Sequence, residues 1–237
     1  MTKEYPIIPY IMMSNQAQAQ LDYYMEKGVN RIEIGVPFSD PMADGPIIQA
    51  AGQEAIEEGH NLYTALDFIR LNRVTYPHVR FVLMTYLNPI YQMGYQTFFE
   101  VNSAHSLIIP DLSLTELEKI HPLFIEYQVA YIPLLALDTP EERIKRYLAC
   151  GDDFVYLMAS KAITGHQAAD AKCLRVPLDL IRSFTHLPLA IGFGVRERQQ
   201  IESLLSACDF TIMGSHLIDL WHKGAIDQLD MIFKAFP

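Results

Sequence analysis

The chain has 237 residues, half of them hydrophobic, and a formal charge of −10. That charge excludes a nucleic-acid partner, which needs a basic stripe, and no Lys/Arg cluster offers a grip on anionic lipid. The length suits one α/β barrel, numbered 1–237 as a single domain, with enough buried surface to need no disulfide or metal staples.

The first apolar stretch, Pro6 to Met13, is brief and follows Glu4, which makes a poor signal peptide, and no apolar run reaches membrane-spanning length. Eight short apolar runs then read as strands: Ile7–Met13, Arg31–Val36, Val79–Tyr86, Ser106–Leu112, Ala130–Leu137, Phe154–Ser160, Leu187–Gly194 and Phe210–His216. Their near-continuous apolar character predicts strands buried on both faces, as in a parallel sheet. Amphipathic segments lie between them: Asn15–Lys27, Gln49–Tyr76, Gln96–Asn102, Leu114–Tyr127, Pro140–Cys150, Pro177–Phe184, Arg196–Ala207 and Leu217–Phe236. Ser113 precedes one helix and Thr139 another, and Pro177 stands near the start of a third. The alternation predicts a parallel (β/α)8 barrel, and the competing open sheet lacks a Gly-rich turn after its first strand. In such a barrel the chemistry sits where the strands end.

The densest strand end is Arg31–Gln49, RIEIGVPFSDPMADGPIIQ. Ile32, Ile34 and Val36 share one strand face; Glu33 and Gly35 share the other, which points inward, with open space expected above Glu33. A buried carboxyl there has its pKa raised, as general acid–base work requires, although a salt bridge at a strand edge fits the same position. Asp40 and Asp44 follow in a loop stiffened by Pro37, Pro41 and Pro46. Turn chemistry accounts for a lone Asp beside Pro or Gly. Two acids behind a candidate acid–base glutamate suggest fixed catalytic geometry instead.

Further along, Tyr156 lies in the sixth run, where it serves either an aromatic substrate or the core. Thr164 and Gly165 belong to a polar stretch with the look of a lid. Gly192, Phe193 and Gly194 end the seventh run, and Gly214 and Ser215 end the eighth. The loops after the last two strands of a barrel, with a helix N-terminus, are a common phosphate site. The three cysteines, Cys150, Cys173 and Cys208, are odd in number and widely spaced, which fits reduced thiols in a cytoplasmic protein. The eight histidines show no ligand spacing, so no metal site is expected.

The motifs IEIGVPFSDPMADGP, LMTYLNPIYQMG, LIIPDL, ITG, GFGV and MGSHLI, in that order over nearly the whole chain, resemble the tryptophan synthase α-subunit family. The resemblance implies a (β/α)8 lyase of tryptophan biosynthesis that cleaves indole-3-glycerol phosphate to indole and glyceraldehyde 3-phosphate by a retro-aldol reaction. It makes Glu33 the acid–base group and Asp44 the carboxylate on the indole N–H. Tyr156 becomes a substrate-pocket residue. Thr164, Gly165, Phe193, Gly194, Gly214 and Ser215 become substrate and phosphate contacts. Asp40 falls in the loop that faces a β subunit within an α2β2 complex. Pyridoxal phosphate belongs to that β subunit, and no cofactor is expected in this chain. The chain departs from the family in the turn after strand one, which reads Met13-Ser14-Asn15-Gln16, and in starting strand one almost at once. A sugar-phosphate isomerase or epimerase, a partner-activating subunit without catalysis, and a stand-alone indole-releasing lyase are the other readings of these residues.

Overall fold

Near-continuous runs of Ile, Leu, Val and Phe form strands here because most of the strands are buried on both faces. The computed structural model describes residues 4–158, 171–192 and 194–234, and it divides into two compact units, Tyr10–Tyr131 and Met1–Pro9 with Ile132–Pro237.

The unit Tyr10–Tyr131 alternates strands with helices. Strand β1 (Ile7–Met12) leads to α1 (Ala17–Glu26), and β2 (Arg31–Gly35) to α2 (Pro46–Glu57) and α3 (Leu62–Thr75). Strand β3 (Arg80–Met84) leads to α4 (Leu87–Met93) and α5 (Tyr95–Val101), and β4 (Ser106–Ile108) to α6 (Leu114–Glu126) and β5 (Ala130–Tyr131). The strands pair in parallel in the order β1-β2-β3-β4-β5, with Tyr10 opposite Glu33 and Glu33 opposite Val82. Helix α6 shows how a helix earns its place: Leu114, Leu117, Ile120 and Phe124 form one buried stripe. Each side chain of that kind contributes about 1.5–3 kcal/mol through burial. The Ser113 hydroxyl accepts the Glu116 N–H at 3.2 Å, the cap expected from sequence.

The other unit contains Ile7–Pro9 of β1, then β6 (Leu134–Ala136), α7 (Glu141–Leu148), β7 (Val155–Met158), α8 (Ala171–Arg182) and β8 (Leu189–Gly192). After these come α9 (Arg198–Leu204), β9 (Phe210–Met213), α10 (Ser215–His222) and α11 (Ile226–Phe233). Its strands also pair in parallel, in the order β1-β9-β8-β7-β6. Among the described residues no helix is long and apolar enough to cross a membrane.

The α/β class and parallel pairing match the sequence reading, and several element boundaries differ. The run Ala130–Leu137 is two strands, because Pro133 has no N–H to give a ladder. The segment Gln49–Tyr76 is two helices. Gly59, at φ +90°, leaves the right-handed region, and Asn61 caps α3 with a reciprocal bond to Thr64. Pro177 lies inside α8 rather than near its start, and the cap of α7 is Pro140, not Thr139. The C-terminal segment Leu217–Phe236 is likewise split, at Lys223–Ala225, into α10 and α11.

Candidate active site

Glu33 is 1% exposed, in a strand whose five residues are all buried. Its Oε2 accepts no hydrogen bond among the described residues. A carboxylate without partners in that setting is strongly disfavoured. Burial, and then the charge of Asp44, push the Glu33 carboxyl up to about 8, so it is a neutral acid at pH 7. The salt-bridge alternative for Glu33 is excluded among the described residues. The expected open space above it is also corrected. A Cβ on Gly35 would lie 1.9 Å from the Tyr10 hydroxyl, so the ring of Tyr10, reaching across from β1, fills that space.

The segment 36–45 leaves β2 without regular structure and is tied by its own backbone. Met42 N–H donates to the Asp40 carbonyl at 2.9 Å and Asp44 N–H to the Pro41 carbonyl at 3.2 Å. From α2, the Gln49 amide donates to the Asp44 carbonyl at 2.9 Å. These bonds and the prolines hold Asp44 half-buried, while Asp40 and Met42 are exposed on the outside of the loop. The Asp44 carboxylate accepts a hydrogen bond from the Tyr86 hydroxyl, 3.1 Å from Oδ2. Burial raises the pKa of Asp44 and this bond lowers it. The charge of Asp44 reaches Glu33, and burial shifts both carboxyls upward, with the Tyr86 hydrogen bond opposing the shift at Asp44 alone.

In the second unit, Tyr156 stands on β7 beside β8, and a Cβ on Gly192 would come within 2.2 Å of its hydroxyl. Only glycine at 192 lets the ring lie against the strand. Strands β8 and β9 are neighbours, with Gly192 opposite Ile212, so the segments that carry Gly194 and Gly214 leave adjacent strand ends. Gly194 has φ +71°, a conformation that suits glycine. Gly214 caps α10, Ser215 is its first residue, and the glycine cap brings no side-chain hydrogen bond to that N-terminus. Its leading N–H groups are thus directed at whatever lies beyond the helix end, a favourable place for an anion. His216 follows, held below the usual histidine range by burial and then by the charge of Arg196. Thr164, Gly165 and Phe193, predicted as site residues, lie outside the described residues.

Sequence reasoning missed two residues, Tyr10 and Tyr86. Tyr86 lies two residues past Met84, the last residue of β3, and is 4% exposed, close to the strand end at which site residues were sought. Tyr10 sits opposite Glu33 in the ladder. A groove of about 670 Å³ lined by Arg175, Arg182, Cys208 and Asp209 among others contains none of the predicted site residues.

The family model "Tryptophan synthase alpha chain" matches residues 1–234. A tryptophan synthase alpha chain from Bacillus thuringiensis (strain Al Hakam) is 36% identical over 96% of this chain and 91% of its own length. One from Bacillus anthracis is 36% identical over the same shares. Among solved structures, a mutant tryptophan synthase alpha-subunit from Pyrococcus furiosus aligns at a TM-score of 0.86 and 27% identity, covering 99% of this chain and all of that one. A tryptophan synthase from M. tuberculosis aligns at 0.85 and 25% identity, covering 98% and 90%.

Proposed function

The chain belongs to the tryptophan synthase alpha chain family, and from that premise we propose that it cleaves indole-3-glycerol phosphate to indole and glyceraldehyde 3-phosphate. The observation that carries this reading is the carboxyl pair behind β2: a buried acid that is neutral at pH 7 beside a half-buried carboxylate that accepts a tyrosine hydrogen bond.

The retro-aldol step uses the two differently. Neutral Glu33 donates its proton to indole C3. The positive charge that develops on the ring nitrogen is stabilised by Asp44, an anion already in place and needing little reorganisation. Glu33, now a carboxylate, takes the proton of the glycerol hydroxyl on the carbon next to the ring. The carbon–carbon bond breaks, its electron pair returns to the ring, and an aldehyde forms. Glu33 ends as it began, protonated, so the cycle needs no net proton. Its raised pKa suits both halves of this exchange near neutral pH. In the second unit, Gly194, Gly214, Ser215 and the α10 N-terminus serve the phosphate. Tyr156 serves the indole side, with Thr164, Gly165 and Phe193 as the family's remaining substrate contacts.

The partner is a tryptophan synthase β subunit in an α2β2 assembly, since solved relatives include a tryptophan synthase complex from Pyrococcus furiosus, aligned at a TM-score of 0.84 and 26% identity. Exposed Asp40 and Met42, which is 84% accessible, give the loop's outer edge a charge and an apolar tip for that partner. Pyridoxal phosphate belongs to the β subunit, and the α reaction draws no cofactor from this chain. The test is indole formation from indole-3-glycerol phosphate by the purified chain, alone and with a cognate β subunit. Indole in either condition supports the lyase reading and a large increase with the partner supports the complex. Indole in neither defeats the reading.

A further inference from the structure

Tyr86 touches the 36–45 loop at three points. Its ring stacks on Phe38 with centroids 5.0 Å apart and planes at 25°. Its hydroxyl oxygen accepts the Ala43 N–H at 2.9 Å. The same hydroxyl donates to Asp44 Oδ2 at 3.1 Å. A tyrosine hydroxyl has one proton to give, and with a backbone N–H already directed at its oxygen that proton goes to the carboxylate. The bond's polarity is thereby fixed, and it favours the ionised form of Asp44. The tyrosine itself is anchored. It is the cap residue of α4, and the next N–H, that of Leu87, donates to Asp111 Oδ1 at 2.8 Å. The turn from β3 into α4 is therefore pinned from the segment after β4, and the ring has little freedom to follow the loop if the loop shifts.

We propose that Tyr86 is a positioning residue for the cleavage, acting through Asp44: it clamps Oδ2 and leaves Oδ1 as the oxygen that takes the indole N–H. This rests on the lyase reading above. Asp44 Oδ1 accepts no hydrogen bond among the described residues, which leaves it for the ligand. The clamp also opposes the rise that burial gives the Asp44 pKa, and so favours its charged form. Among titratable groups, Tyr86 acts on Asp44, the charge of Asp44 raises Glu33 on β2, and Asp44 and Asp111 both act on Tyr86. Without the hydroxyl, Asp44 gains a proton more easily and its carboxylate turns away from the productive angle.

The variant that isolates this is Tyr86→Phe, which keeps the ring and its stack on Phe38. Hydrogen bonds to charged groups are strong enough that kcat should fall about 10- to 100-fold. KM should change by less than about threefold, because the phosphate end is untouched. The acid limb of the kcat–pH profile should move to higher pH. In the ligand-free chain, the carboxyl carbon of Asp44, followed by NMR titration, should titrate at higher pH in Tyr86→Phe than in wild type. A purely structural tyrosine would lower thermal stability and leave the acid limb and the Asp44 titration where they were; that result overturns the proposal. If wild-type protein releases no indole, the lyase reading falls, and with it any role in cleavage. The NMR titration then still decides whether Tyr86 holds the Asp44 charge.

Discussion

Replacing Glu33 by Gln should make the protein more stable relative to wild type as the pH rises. The carboxyl titrates near 4.5 in an unfolded chain and near 8 in the folded one. The folded state therefore binds the proton more tightly. Glu33's contribution to stability is fully present below pH 4.5 and is lost progressively until the pH passes 8. The slope across that window is about 1.4 kcal/mol per pH unit for one group. Between pH 5 and pH 7.5 wild type should lose roughly 3 kcal/mol through this residue alone. The glutamine variant carries no such term. The assay is urea unfolding of both proteins at half-unit steps from pH 4.5 to 9, comparing the difference in unfolding free energy at each pH. The difference should grow in favour of Glu33→Gln up to about pH 8 and level off above it. The amide's own burial shifts the whole curve by a constant and leaves its slope alone. A difference that stays flat with pH would mean that Glu33 titrates normally, and the neutral-acid argument would be lost.

Asp44→Asn removes the anion and keeps the shape; kcat for indole release should drop about 10²- to 10³-fold with the fold intact, as steady-state kinetics and circular dichroism can show. Gly35→Ala drives a methyl into Tyr10 and should cost about 1–3 kcal/mol in thermal or urea unfolding, with Tyr10→Leu recovering part of the loss. Recovery in the double variant tests the cross-strand contact, since independent sites would simply add. Gly214→Asp places a negative charge at the α10 N-terminus and should abolish binding of a phosphate ester in isothermal titration; unchanged affinity removes α10 from the phosphate site.

The strands were legible because apolar content recurs in runs too short for helices and too continuous for one-sided sheets. Their ends were legible to within a few residues, except where a single atom decided the matter. Pro133 splits one run for want of one N–H, and Gly59 with Asn61 splits one helical segment. Ser113, by contrast, was readable because its cap is made three residues away. The burial of Glu33 was readable from alternation along β2. The filling of the space over Gly35 was not, because it comes from Tyr10 on another strand and depends on register. Tyr86 escaped notice for the same reason: its hydroxyl meets Asp44, 42 residues away in sequence, and only the folded loop brings them together. Residue types at strand ends thus announce a site, while the contacts that tune each group come from neighbours that sequence order keeps apart.

In the proposed reaction, one buried, protonated glutamate moves the proton for carbon–carbon cleavage. The pH dependence of kcat/KM for indole release tests it most directly, because that quantity reports the titrations of the free enzyme. Wild-type activity should hold through neutral pH and fall as the pH passes about 8, and Glu33→Gln should release no indole at any pH. Activity that persists unchanged to pH 9.5, or survives in Glu33→Gln, would contradict it.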